Sequence, residues 1–172
     1  MTEAEAAWSK LASKLMRVAF LRSDVTYARL AELLTQDGAP ETERSVESRV
    51  FRGKARFSFL LRSLHVMGAD LPPLWRAALT GADLTWEQKA TAVFAAELSL
   101  QKRVTSEELL RRLQVFSLEL DGLALNTQIN SGEFSVVLFM QCMAAVGSTT
   151  LERFIDLSDF DNSALRTPAP VA

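Results

Sequence analysis

The sequence predicts an all-α protein: two copies of one four-helix unit packed against each other as an intramolecular pseudo-dimer. Three observations predict it. First, Val25-Thr26, Leu30, Leu34, Gly53 and Gly68 recur as Val104-Thr105, Leu109, Leu113, Gly132 and Gly147, always 79 positions further on. From 25 to 68 the copies align without a gap, with six identities among 44 positions. The shared residues are those that set a backbone: a helix start, core leucines and turn glycines, so the repeat fixes the architecture. Second, apolar residues recur at helical spacing in both copies, and no segment alternates with strand period for long. Third, residues 136–146 are apolar almost all round, the pattern of a helix buried on more than one side.

In the first copy, Trp8, Leu11, Leu15 and Val18 place a helix from about Glu5 to Leu21. Thr26 caps a second helix, with Val25 and Leu30 positioned as a hydrophobic staple and Leu30, Ala31 and Leu34 facing inward. The run Thr35-Gln36-Asp37-Gly38-Ala39-Pro40 reads as a turn. A third helix follows from about Thr42 to Arg52, closed by Gly53, and a fourth from about Phe57 to Met67, closed by Gly68.

The second copy repeats the plan. Thr85 with Gln88, and Thr105 with Glu108, have capping-box spacing and open helices near 86–101 and 106–115. A weaker third helix has Gly122 near its start, and the apolar segment is the fourth. The expected organisation is a basic first unit at 1–70, a packed connector at 71–84 around Leu71-Pro72-Pro73-Leu74-Trp75, an apolar and acidic second unit at 85–149, and an acidic tail at 150–172. Asp156, Asp159 and Asp161 lack the spacing of a calcium loop and read as a solvated tail, with Thr167-Pro168-Ala169-Pro170 disordered.

The order of parts resembles the phage-repressor-like helix-turn-helix domain. Ser48-Arg49-Val50-Phe51-Arg52-Gly53 resembles the S-x-I-x-R-G ending of that class's recognition helix. From Leu34 to Gly53 is 19 positions, several more than that class uses. The longer spacing is similar to a family of small, mostly bacterial proteins classed only as a domain of unknown function. That family's pattern runs W-x-x-L, T-Y-x-x-L-A, E-T-E, R-G-x-F-S and Q-C-x-x-A-x-G. Here the first copy has Trp8 and Leu11, Thr26-Tyr27 with Leu30-Ala31, Glu41-Thr42-Glu43 and Arg52-Gly53. The second has Gly132-Glu133-Phe134-Ser135 and Gln141-Cys142 with Ala145 and Gly147. The resemblance spans about 8–68 and 86–147; it implies a helix-turn-helix-like fold for each unit and no settled activity.

Apolar residues at 48% and charged residues at 23% are ordinary for a soluble globular chain. The lone Cys142 excludes an internal disulfide framework, fits a reducing compartment and reads as a core residue. The N-terminus is acidic and amphipathic rather than a secretory signal. The uncharged stretch 134–151 contains Gln141 and ends polar, so its apolar part is too short to span a bilayer. A cytoplasmic protein with no membrane association is expected.

Enzyme chemistry is not expected. His65 stands alone, and there is no metal-spaced Cys/His cluster, phosphate loop or serine elbow. No metal or other cofactor is expected.

Charge separates the two copies. Residues 1–72 carry a net +2 and residues 73–172 a net −4. Between Arg44 and Arg62 the first copy is +5, while the matching window of the second is −1. If Val46 and Val50 face the core, Arg44, Ser48 and Phe51 fall on the opposite face, flanked by Arg49 and Arg52. Each cation on a phosphate releases a counterion, and an exposed arginine can reach guanine edges. The expected nucleic-acid-binding set is therefore Arg44, Ser48, Arg49 and Arg52 on the helix, with Lys54 and Arg56 on phosphates. In the second copy Asn126, Thr127 and Asn130 offer hydrogen bonds but no charge. Val136, Phe139, Met140 and Met143 are expected at an interface, between copies or between chains, and a homodimer would hold two basic units by two acidic ones. Two functions are in play: a small regulator that binds double-stranded DNA, or an adaptor or inhibitor that docks a protein partner through the apolar second copy or the acidic tail.

Overall fold

Helix boundaries follow the caps. The computed structural model describes residues 1–166 apart from 82 and 117, so the run 167–170 lies outside the described residues. The first helix, α1 (Glu3–Arg22), opens with a capping box between Thr2 and Glu5 and buries Trp8, Leu11, Leu15, Met16 and Phe20. In α2 (Tyr27–Gln36) the Thr26 hydroxyl accepts from the Arg29 amide at 3.1 Å. Then come α3 (Glu43–Arg52), α4 (Phe57–Val66) and a short connector helix, α5 (Pro73–Ala78), which starts on a proline whose missing N–H costs nothing there. The second copy gives α6 (Trp86–Ser99), α7 (Ser106–Leu113), α8 (Gly122–Ser131) and α9 (Val136–Val146).

One cap differs from its expected form. Thr105 caps α7, but Glu108 does not reach back to complete a box; its carboxylate takes Arg111 at 2.6 Å and Arg112 at 2.8 Å. Those hydrogen bonds, from Arg111 first and Arg112 second, lower the Glu108 pKa to about 2.

The two units exchange contacts about a pseudo-two-fold axis. In each, the third helix packs on the first and second. Across the seam, α1 lies against α9 and α6 lies against α4. At the axis Arg56 and Ser135, equivalent residues of the two copies, form an antiparallel bridge. Phe57 donates its amide to the Phe134 carbonyl at 3.0 Å, and Val136 donates to Ala55 at 2.9 Å. Rings fill the space beneath: Phe57 stacks on Phe139 with centroids 3.9 Å apart, and Trp75 meets Phe154 at 6.2 Å. Phe57, Trp75, Phe94, Phe134 and Phe139 are all buried, each worth roughly 1.5–3 kcal/mol relative to exposure. The molecule is thus an all-α, two-unit repeat with a common core.

The segment after α9 departs from a solvated acidic tail. Residues Thr150–Arg153, Leu157–Asp161 and Ser163–Leu165 form short 3₁₀ turns, and the last of them packs on α1. The Trp8 indole N–H donates to the Leu165 carbonyl at 3.0 Å, and Lys14 pairs with Asp159 at 2.8 Å. Burial drives this: Leu151, Phe154, Ile155 and Leu165 flank the aspartates and all are buried. Among the described residues no helix is long and apolar enough to cross a membrane.

Candidate functional site

The exposed face of α3 is built from its N-terminus. Thr42 and Ser45 form a reciprocal capping box, and the Glu41 carboxylate accepts from both the Ser45 hydroxyl and the Arg49 guanidinium. Val46 and Val50 are completely buried, which turns Arg44, Ser48, Phe51 and Arg52 outward at 100° per residue. Arg44 and Arg52 are exposed, Ser48 is half-buried, and Phe51 remains 58% exposed with its edge against Tyr27. Burial raises the Tyr27 phenol above its ordinary value; Arg17 opposes that shift and Glu47 adds to it.

Gly53 ends the helix at φ 63°. A Cβ there would lie 1.8 Å from the Ser9 carbonyl oxygen, so only glycine lets α3 close onto α1. Gly132 repeats the arrangement against the Glu87 carbonyl at 1.9 Å.

The six residues expected on nucleic acid divide into two groups. Arg44, Ser48 and Arg52 share the outward stripe. Arg49 instead turns toward α4, bound to Glu41, with its guanidinium 4.9 Å from the Phe59 ring centroid. Lys54 is exposed, and Arg56 is exposed with Glu133 of the other unit 3.8 Å away. Arg49, Lys54 and Arg56 line a groove that also contains Arg62, Glu41 and Phe59 and is closed by Trp86 and Glu87 at the start of α6. Arg62 is tied to Asp37 at 2.8 Å, and both Lys89 and Arg62 lie over the Trp86 ring, at 4.2 Å and 6.0 Å. Sequence reasoning missed Glu41, Arg62 and Trp86. A position-by-position comparison of the copies flags Arg62, because its mate is the buried Gln141.

The second unit presents a different surface. Leu123, Thr127, Asn130 and Ser131 stand where Arg44, Ser48, Phe51 and Arg52 stand, and α8 carries no charged residue. Val136, Phe139, Met140 and Met143 are buried inside the chain, on α9 between the units and against α7. Cys142 beside them is fully buried, which pushes its thiol up to about 12.

Fold and surface together define a class: a tandem all-α repeat in which one third helix is basic and the other uncharged. The chain belongs to the family described as a domain of unknown function (DUF6471), whose model matches it twice, at residues 8–71 and 86–151. No curated protein and no solved structure matches it.

Proposed function

We propose that this protein binds duplex DNA through α3 of the first unit and acts as a small transcriptional regulator. The observation that carries the reading is the one-sidedness of the repeat: Arg44 and Arg52 stand exposed on α3, and among the described residues neither has an ion-pair partner, while α8 offers no cation at the matching positions. A helix face of this width suits the major groove, with Arg44, Ser48 and Arg52 toward the bases and Lys54 and Arg56 on phosphates. The resemblance to repressor-like helix-turn-helix domains supports the same placement. Arg49 contributes by holding Glu41, and through it the start of α3, rather than by reaching DNA itself.

The test is selection from pooled random duplex DNA at two salt concentrations, repeated with a variant carrying Arg44→Glu and Arg52→Glu. The wild type should enrich a motif, with affinity falling as about the second power of salt for the two phosphate contacts. The variant should keep its fold by circular dichroism and lose binding. Unchanged affinity in the variant, or no enriched motif, overturns the reading. In that event Phe51, 58% exposed on α3, favours a protein partner on that face. That surface differs from the apolar α9 of the second copy, which is buried within the chain.

A further inference from the structure

We propose that the groove between α3, α4 and the start of α6 binds a small, flat organic anion such as an aromatic carboxylate. The groove holds about 370 Å³, within the range of small-molecule sites. Among its lining residues are four cations, Arg49, Lys54, Arg56 and Arg62, against two acids, Glu41 and Glu87. Its floor is apolar, with Leu34, Ala39 and Ala55.

The walls select the shape of the ligand. The Arg49 guanidinium lies over Phe59 and that of Arg62 over Trp86, so planar cations are already seated on rings. An electron-rich flat body stacks on a guanidinium plane, and its carboxylate pairs with the N–H donors left over from Glu41 and Asp37. Lys54 has no ion pair among the described residues and stands exposed at the rim. It is placed to meet the same charge.

The repeat shows that this opening is not imposed by the fold. Across the pseudo-two-fold axis, Ala55 is matched by Phe134, Ser58 by Val137, Arg49 and Arg62 by Gln128 and Gln141, and Trp86 by Trp8. Phe134, Gln141 and Trp8 are all buried, and Trp8 is covered by Phe116, Phe160 and the Leu165 carbonyl. The same scaffold therefore closes this position with apolar bulk in one half and leaves it open and cationic in the other. The site does not rest on DNA binding, although it shares Lys54 and Arg56 with the phosphate contacts proposed above, so an occupant and DNA would compete for them.

The experiment follows the indole N–H resonances of the full chain during titration with naphthoate, naphthamide and inorganic sulfate. Trp8 and Trp75 donate to fixed acceptors in the core, so Trp86 reports the groove and is assigned with Trp86→Phe. Naphthoate should shift the Trp86 resonance saturably and leave the other two in place, while the neutral amide and sulfate should not. Arg62→Gln, which installs the second unit's residue, should weaken naphthoate about tenfold, the loss of one charge-assisted hydrogen bond. Lys54→Gln, at an exposed position that cannot disturb folding, should weaken it several-fold. No shift up to roughly 10 mM, the range of negligible affinity, overturns the proposal. So does equal binding of the amide, or unchanged affinity in both variants.

Discussion

Glu97 is the only charged residue among the described buried ones, and it is completely enclosed. Among the described residues it has no ion-pair partner. Its carboxylate accepts from the Trp75 indole at 2.8 Å and from the Ser148 hydroxyl at 2.9 Å, joining the connector and the loop after α9 to α6. Removing it strands the buried Trp75 indole, at a cost of about 1–3 kcal/mol, and leaves the Ser148 hydroxyl only its longer contact to the Thr150 hydroxyl at 3.3 Å. Glu97→Ala should therefore lower stability by about 2–4 kcal/mol, read as a shift of the urea midpoint at constant slope. Glu97→Gln should lose distinctly less, because the amide can still accept from Trp75 and donate to Ser148. Equal losses in the two variants would show that packing volume rather than hydrogen bonding holds the site. Another buried pair illustrates how the copies diverge at single positions. Ser63 occupies the place of Cys142, and among the described residues its hydroxyl has no hydrogen-bond partner, whereas the thiol is content in apolar surroundings.

At the level of elements, the helix-closing glycines fall into two kinds. Gly53 and Gly68 both sit at positive φ, 63° and 66°, yet only Gly53 lies against another backbone; a Cβ on Gly68 meets nothing within 4 Å. Gly68→Ala should cost about 1–2 kcal/mol, the penalty of a left-handed alanine. Gly53→Ala adds a collision with the Ser9 carbonyl that only a shift of α3 away from α1 can relieve, and should cost at least twice as much in urea unfolding. Similar costs at the two positions would mean that the close approach of α3 to α1 gives way freely. These glycines were legible in the sequence because a repeat marks them twice, as were the threonine caps and the Val46–Val50 face. The inward turn of Arg49 was not, since it depends on Glu41, eight residues earlier and outside the helix. The groove was hidden for a similar reason: Trp86 reaches it from the other copy, and no periodicity within one copy reports that. The docking of the tail was not legible either, because Leu151, Phe154, Ile155 and Leu165 sustain no helical or strand period across the tail and bury against α1 and the seam.

For the whole molecule, the exchange of helices decides how it unfolds. The α1 helix rests on α9 and α6 rests on α4, so each unit borrows a wall of its core from the other. The stacked rings of Phe57 and Phe139 belong to different units, and the bridge at Arg56 and Ser135 hydrogen-bonds one unit to the other at the axis. A unit melting alone would expose the seam of its partner, including Phe134, Phe139, Met140 and Met143 on one side and Phe57, Leu60 and Leu61 on the other, all buried in the intact chain. Each such side chain costs roughly 1.5–3 kcal/mol to expose, which over the three or four on one side comes to about 5–12 kcal/mol, comparable to the entire stability of an ordinary domain of about 5–15 kcal/mol. Calorimetry should accordingly show one transition, with the calorimetric and van't Hoff enthalpies equal. Phe139→Ala, which removes about 3–5 kcal/mol of core packing from α9, should lower that single transition and leave it single. Two separated transitions, with only one of them moved by Phe139→Ala, would mean that each copy folds on a core of its own and that the seam is an ordinary domain contact.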